Sequence, residues 1–251
     1  MRIRFFHDTI VSMLSIIIPT LNEEEYLPKL LRSIKRQGIR DMEIIVADAG
    51  SKDATVKVAK SYGCKVVRGG MPARGRNEGA EEAKGELFLF LDADVILPPK
   101  FLRRFLSEFE KRRLDIAGCA SRYTSRKKMY IALENFWNLY AKSTQKFYPC
   151  AAQCILVKKS LHDKVGGFDE TIKLGEDFVY VRKAKKFGKF AFLSHPFYFM
   201  SPRRFEEGMV KTSLQLVLAE PHMLFLGPIR SDIFKYRFRH LPKRKKQKKS
   251  A

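Results

Sequence analysis

The sequence predicts an α/β fold, a doubly wound, mainly parallel sheet of Rossmann-like layout flanked by helices. Three observations lead there. Short apolar runs that read as buried strands alternate with amphipathic helical segments throughout residues 14–91. The connections between them are short, which suits parallel strands joined by right-handed crossovers. At 251 residues, 45% of them hydrophobic, the chain is long enough to bury one full core.

Each element follows from its own residues. Residues 14–18 form the first strand, closed by Pro19. Asn22 is expected to cap a helix whose first turn is Glu23, Glu24 and Glu25, anions that suit a positive helix start. Leu27, Leu30, Leu31 and Ile34 are its apolar stripe, and Gly38 ends it. Residues 43–47 are the second strand. Residues 53–62 are the second helix, stopped at Gly63. The third strand is 65–67, and the third helix is 73–84, with Gly85 at its end. The fourth strand is 86–91. Beyond it the alternation loosens. Pro99 opens a helix with Phe101, Leu102, Phe105, Leu106 and Phe109 on one side. Residues 115–121 and 151–157 read as strands, and 127–147 between them as a basic, aromatic helix. A helix over 176–187 and a strand over 190–193 follow.

The chain shows no internal repeat and no long linker. It divides into an N-terminal extension (1–12), one domain (13–205), an amphipathic segment expected to associate with a membrane (206–233) and a basic tail (234–251). Lys and Arg number 49 against 27 Asp and Glu, a net charge of +22. That balance implies a polyanionic partner: nucleic acid, anionic lipid headgroups or a phosphorylated substrate. The excess gathers in residues 100–128 and in 235–249, the latter without a single acid. Cys64, Cys119, Cys150 and Cys154 form no CxxC pair and no zinc spacing, as expected of reduced cytosolic thiols. The first residues make a poor signal peptide, and no run reaches the ~18 apolar residues of a membrane span. The expected location is the cytoplasm, peripheral at the inner face of the membrane.

The fourth strand, Phe88-Leu89-Phe90-Leu91, ends abruptly in Asp92-Ala93-Asp94. Two unpaired buried carboxylates would cost several kcal/mol. On an extended chain, side chains two apart point the same way. Asp92 and Asp94 are therefore expected to face one divalent cation at the carboxyl end of the sheet, where open α/β folds bind ligands.

Four segments then line up in order: Ser15-Ile16-Ile17-Ile18-Pro19-Thr20-Leu21-Asn22-Glu23, Ile45-Val46-Ala47-Asp48-Ala49-Gly50-Ser51-Lys52-Asp53, Asp92-Ala93-Asp94, and Gly167-Phe168-Asp169-Glu170 followed by Gly175-Glu176-Asp177. Together, over about residues 14–201, they closely resemble the family-2 glycosyltransferases of the GT-A fold. The resemblance implies inverting transfer of a sugar from a nucleoside-diphosphate donor, UDP- or GDP-linked, with Mg2+ or Mn2+. It implies that Pro19, Thr20 and Glu23 sit beside the nucleotide, that Asp48 reads the base, and that Arg76 and Asn77 lie over the nucleotide. Asp92 and Asp94 match the metal-binding pair, with Asp94 the direct ligand. Asp177 matches the catalytic base, and Glu176 would steady the site or contact the acceptor. His195 lies where related enzymes often carry a third metal ligand. Arg203 or Arg204 would bind the diphosphate. Asp53 is expected to cap the following helix.

Each role has a structural competitor. Asp48 suits an Asx turn before Gly50, Asp177 a helix first turn, Arg76 a solvated helix face, and His195 an ordinary structural histidine. Two departures from the family pattern stand out. Ala49 follows Asp48 where the family often has a second acid, which leaves UDP against GDP open. The Gln-x-x-Arg-Trp motif of processive synthases is missing, which argues for transfer of a single sugar.

The acceptor side is expected in the second half, where residues 129–140 are rich in aromatics beside Arg126, Lys127 and Lys128. An apolar stretch followed by the 243–249 basic cluster suits an anionic membrane surface, so the expected acceptor is a lipid or lipid phosphate. Two other classes compete. One is a nucleic-acid-binding protein using the basic tail, although no specific nucleic-acid motif is present. The other is a sugar nucleotidyltransferase, although residues 19–23 are acidic and lack the glycine-rich loop of those enzymes.

Overall fold

The computed structural model describes residues 13–206, 218–219 and 221–231, without the side chains of Arg204 and Glu206. The N-terminal extension, the basic tail and half of the 206–233 segment lie outside the described residues. The strands are β1 (Leu14–Thr20), β2 (Met42–Asp48), β3 (Lys65–Arg68), β4 (Leu87–Leu91), β5 (Val95–Ile96), β6 (Ile116–Tyr123), β7 (Cys154–Lys158) and β8 (Phe190–Met200). The helices are α1 (Leu27–Lys35), α2 (Thr55–Ser61), α3 (Pro72–Glu81), α4 (Phe101–Lys111), α5 (Lys128–Thr144), α6 (Lys159–Val165), α7 (Glu176–Lys185) and α8 (Arg203–Glu206).

All the strands join one sheet in the order β3-β2-β1-β4-β7-β6-β8-β5. The half containing β3, β2, β1 and β4 is parallel. The other half is mixed. β7 runs antiparallel to both β4 and β6, β8 is parallel to β6, and β5 is antiparallel to β8.

The period-two alternation of a strand divides the core in two. Ile16, Ile18, Leu89 and Leu91 face one layer, with the apolar stripes of α1 and α4. Ile17, Phe88 and Phe90 face the other, with α3, α6 and α7. Within that second layer His162 accepts or donates a 2.9 Å hydrogen bond with the Tyr180 hydroxyl. Burial lowers its pKa to about 4, so the imidazole stays neutral near neutrality.

Two expectations are corrected. The first helix begins at Leu27 rather than at Asn22. Asn22 adopts a left-handed φ of 55°, and its Oδ1 accepts the Lys52 N–H at 2.8 Å. The Glu23 N–H donates to Thr55 Oγ1 at 2.7 Å. Residues 22–24 are thus stitched to the loop after β2 and cannot start a helix. Second, β4 stops at Leu91, and Asp92 to Asp94 form a turn closed by the Val95 N–H on the Asp92 carbonyl, 3.2 Å. The same-face argument for Asp92 and Asp94 fails there, because it requires an extended chain.

α3 lies unusually close to the sheet. A Cβ at Gly79 would meet Ile17 Cγ2 at 2.5 Å, and one at Gly75 would meet Pro19 Cβ at 3.0 Å. The glycines let the helix approach β1, and this brings Arg76 to the strand ends. Among the described residues no helix is long and apolar enough to cross a membrane.

Candidate active site

A cavity of about 530 Å³ opens at the carboxyl ends of the parallel strands. Pro19 and Thr20 from β1, Ala49 after β2, and Asp92 and Ala93 after β4 line one end. Arg76, Glu176, Asp177 and Arg203 complete that polar end. The opposite half is mostly apolar, walled by Tyr123, Trp137, Ala141, Cys150, Phe178 and Phe192, with Ser121, Glu134 and Asn138 as polar groups among them.

Two buried arginines organise the polar end. Arg76, 3% exposed, donates to Glu176 Oε1 at 2.6 Å and to Asp92 Oδ1 at 2.9 Å. Its guanidinium lies 5.3 Å from the centre of the Phe168 ring. Burial works against its charge, but Glu176, Asp92 and Asp177 outweigh that and raise its pKa. Arg203 grips Glu23 with both terminal nitrogens, 2.8 and 2.7 Å, and reaches Asp94 Oδ2 with Nε at 3.1 Å. It also stacks 4.4 Å over the Tyr26 ring. Asp92 thus belongs to the Arg76 group and Asp94 to the Arg203 group. Asp94 lines a smaller recess beside Tyr26 and Ser201.

Glu176 and Asp177 stand at the start of α7, immediately after Gly175, whose φ of +77° favours glycine. The Asp177 carboxylate accepts the Phe178 N–H at 2.9 Å. Burial, reinforced by the Glu176 and Asp92 carboxylates and opposed by Arg76, pushes its pKa up to about 7. A carboxyl group near that value can take and return a proton at neutral pH.

Other residues behave differently from expectation. Asp48 spends its carboxylate on the loop after β2. It accepts the Gly50 and Ser51 N–H groups at 2.9 and 2.8 Å, the Ser51 hydroxyl at 2.5 Å and the Thr20 hydroxyl at 3.2 Å. This is the Asx-turn geometry, and Ala49 rather than Asp48 lines the cavity. Asp53 precedes Ala54, the N-cap residue of α2, and accepts the Thr55 N–H at 2.9 Å. Asn77 holds the loop before α7. Its Oδ1 accepts the Phe168 N–H at 2.8 Å, and its Nδ2 donates to the Phe168 carbonyl at 2.9 Å. It does not line the cavity.

His195 is not brought to the cavity. Leu193 pairs with Cys119 and Phe197 with Ala120, so residues 194–196 bulge out of β8 and leave His195 exposed. The Arg204 backbone is in α8, and its side chain lies outside the described residues.

The structure adds Glu134, from α5, to the cavity wall. It is 4% exposed and accepts the Tyr123 N–H at 2.7 Å. It is the only acid within residues 116–162, a signal visible in the sequence. Asn138, one turn on, exchanges hydrogen bonds with the Ser121 N–H and carbonyl at 3.0 and 2.8 Å, tying α5 to β6.

The order of strands, with the cavity at the mouth of the parallel half, defines a GT-A fold. The chain belongs to glycosyl transferase family 2, the description that matches residues 15–166. Poly(ribitol-phosphate) beta-N-acetylglucosaminyltransferase TarS of Staphylococcus aureus (strain Mu50) is 26% identical over 216 residues, 78% of this chain and 36% of TarS. The undecaprenyl-phosphate 4-deoxy-4-formamido-L-arabinose transferase of Pseudomonas fluorescens is 35% identical over 121 residues, 43% of this chain and 35% of that one. This chain therefore spans about a third of the length of these curated relatives. The crystal structure of S. aureus TarS 1-349 in complex with UDP superposes with a TM-score of 0.64 at 21% identity, covering 84% of this chain and 72% of that one. The mannosyltransferase PcManGT from Pyrobaculum calidifontis, in complex with GDP-Man and Mn2+, gives 0.63 at 19% identity, covering 75% and 56%. At these identities the structural likeness speaks for the fold.

Proposed function

We propose that this chain moves a single sugar from a UDP- or GDP-linked donor to a lipid-borne acceptor at the cytoplasmic face of a membrane, with inversion at the anomeric carbon. The observation that carries the reading is Arg76 joining Asp92, from the end of β4, to Glu176, beside Asp177, in the wall of a cavity whose far half is mostly apolar. Support also comes from relatives named for sugar transfers, one of them to undecaprenyl phosphate.

The polar end gathers Glu23, Asp92, Glu176 and Asp177 around Arg76 and Arg203, with Asp94 held by Arg203 in the adjoining recess, an excess of carboxylate. A diphosphate would be repelled from it unless a cation came too. Among the described residues no three His, Cys, Asp or Glu side chains form a cage for a metal. Mg2+ does not need one, being commonly held by one or two carboxylates plus substrate phosphates. The donor set therefore fits, with Asp92 and Asp94 as the residues that would hold the ion. When bound, Mg2+ or Mn2+ supplies Lewis-acid stabilisation of the departing diphosphate.

The chain's own residues do the rest. Arg76 holds and orients Asp92 and Glu176. Asp177 takes the proton of an acceptor hydroxyl as its oxygen attacks the anomeric carbon, and the nucleoside diphosphate leaves with the bonding pair. A lipid phosphate acceptor arrives already ionised, and Asp177 then only positions it. The apolar half receives the hydrocarbon next to the acceptor group and excludes water from the reacting centre.

The test is product analysis. The full chain, incubated with UDP- and GDP-sugars, Mn2+ and a membrane lipid extract, is expected to release nucleoside diphosphate and a glycosylated lipid. Release of pyrophosphate instead would assign nucleotidyl transfer and overturn the reading.

A further inference from the structure

We propose that the outer face of α5 docks on an anionic lipid bilayer, so that the helix walling the apolar half of the cavity also seats the protein on the membrane. The inference deepens the lipid-acceptor reading and rests on it. The evidence is a stripe of side chains that the fold does not use. Met129, Ala132, Phe136 and Leu139 follow each other at the helical spacing of three and four, and all are exposed. Phe136 is 61% exposed and Leu139 66%. The opposite side of the same helix is occupied. Tyr130 and Ala141 are buried, and Trp137 and Asn138 face the cavity.

Charge identifies what covers the stripe. Lys128 precedes it and Lys142 follows it, both exposed, with Arg126, Lys127 and Lys146 close by in the chain and also exposed. Glu134, the only acid in this stretch, is buried, so the exposed face carries cations, apolar groups and the neutral Asn135 and Ser143, and no anion. A helix of this kind, with aromatic and aliphatic groups framed by lysines, lies in a membrane interface with its apolar side among the acyl chains. The cations meet the negative leaflet surface.

A second exposed apolar group lies after α8. Leu224, Phe225 and Leu226 are exposed, Phe225 at 80%. Their segment packs through Met223 on Phe178, which also packs against the cluster holding Ala141 of α5.

Flotation with vesicles of neutral and of anionic phospholipid tests this on the full chain. Wild type is expected to float with anionic vesicles, and the F136E/L139E double variant to lose at least tenfold of that binding. Both substitutions lie on exposed positions. Retained thermal stabilisation by UDP or GDP with Mn2+ shows that the variant is folded. A Lys128→Glu/Lys142→Glu variant is expected to lose binding to anionic vesicles in the same way. The proposal is overturned if wild type does not float, or if F136E/L139E floats equally well, which would leave the basic tail as the anchor. It is also overturned if light scattering shows a wild-type dimer that F136E/L139E splits, which would assign the stripe to a second copy. Failure of the glycosyl-transfer reading would appear separately, as absence of any nucleotide response in wild type.

Discussion

Asp177→Asn is expected to slow transfer to a hydroxyl acceptor by about 10²- to 10⁴-fold, the usual worth of a positioned base, and at the same time to stabilise the protein at alkaline pH. Both follow from one environment. Burial and the neighbouring carboxylates raise the Asp177 pKa from 3.8 to about 7 in the folded chain. A group whose folded pKa is raised contributes stability that is complete below its unfolded value. That contribution is lost as pH rises through the folded one. Above about pH 7 the protein therefore carries an ionised carboxylate at a cost of roughly 2–4 kcal/mol, at 1.36 kcal/mol per pKa unit and allowing for relaxation. Asparagine has no charge to desolvate. The melting temperature of the variant should exceed that of wild type at pH 8 and approach it at pH 5. Wild-type rates with a hydroxyl acceptor should rise with pH through about 7, and the variant should lack that rise. A lipid phosphate acceptor would give a smaller rate loss and a flat profile, with the stability effect intact. Equal melting temperatures at pH 8 would contradict the electrostatic account of this site.

Arg76→Met is expected to destabilise the protein by about 3–5 kcal/mol near neutral pH, the usual cost of removing one partner from a buried ion pair. Methionine fills much of the same space beside Phe168, so the loss is one of charge. Without the guanidinium, Asp92, Glu176 and Asp177 are left as a cluster of like charges at the cavity wall. Arg76 holds the Asp177 pKa down, so its loss raises that pKa further, and the penalty shrinks as the pH falls and Asp177 protonates. Denaturant midpoints at pH 5 and pH 8 check this: the deficit should be larger at pH 8. Arg76→Lys should fall between, since an ammonium restores charge but cannot form the fork that reaches both carboxylates. A variant as stable as wild type at pH 8 would show that Arg76 does not hold the site together.

Much of the parallel half was legible because it depends on local signals. The apolar runs at β1, β2 and β4 and the stripes of α1 and α4 are periodic, and periodicity survives without tertiary information. Asp177, Glu176 and Asp92 were legible through their motifs, and they do meet in one cavity. What was hidden depends on contacts distant in sequence. The Glu23 carboxylate is held by Arg203, 180 positions away. Nothing near Glu23 says that its side chain is needed there rather than in the first turn of a helix. Strand direction is equally silent. The run at β7 looks like any buried strand, yet it enters antiparallel beside β4, after the chain returns through α5 from its other neighbour β6. Ala93 turns the chain between two acids that an extended reading would align. The bulge in β8 lifts His195 away from the cavity, and a bulge leaves little trace in an apolar run such as 190–200.

A nucleoside diphosphate is expected to enter this carboxylate-rich cavity only with a divalent cation held at Asp92 and Asp94. Titration calorimetry of UDP and GDP into the full chain, with and without Mn2+, tests it most directly. At least one nucleotide should bind tenfold or more tightly with Mn2+, and Asp94→Asn should remove that gain. Equal affinity with and without the ion, or an Asp94→Asn variant that keeps the full gain, would contradict it.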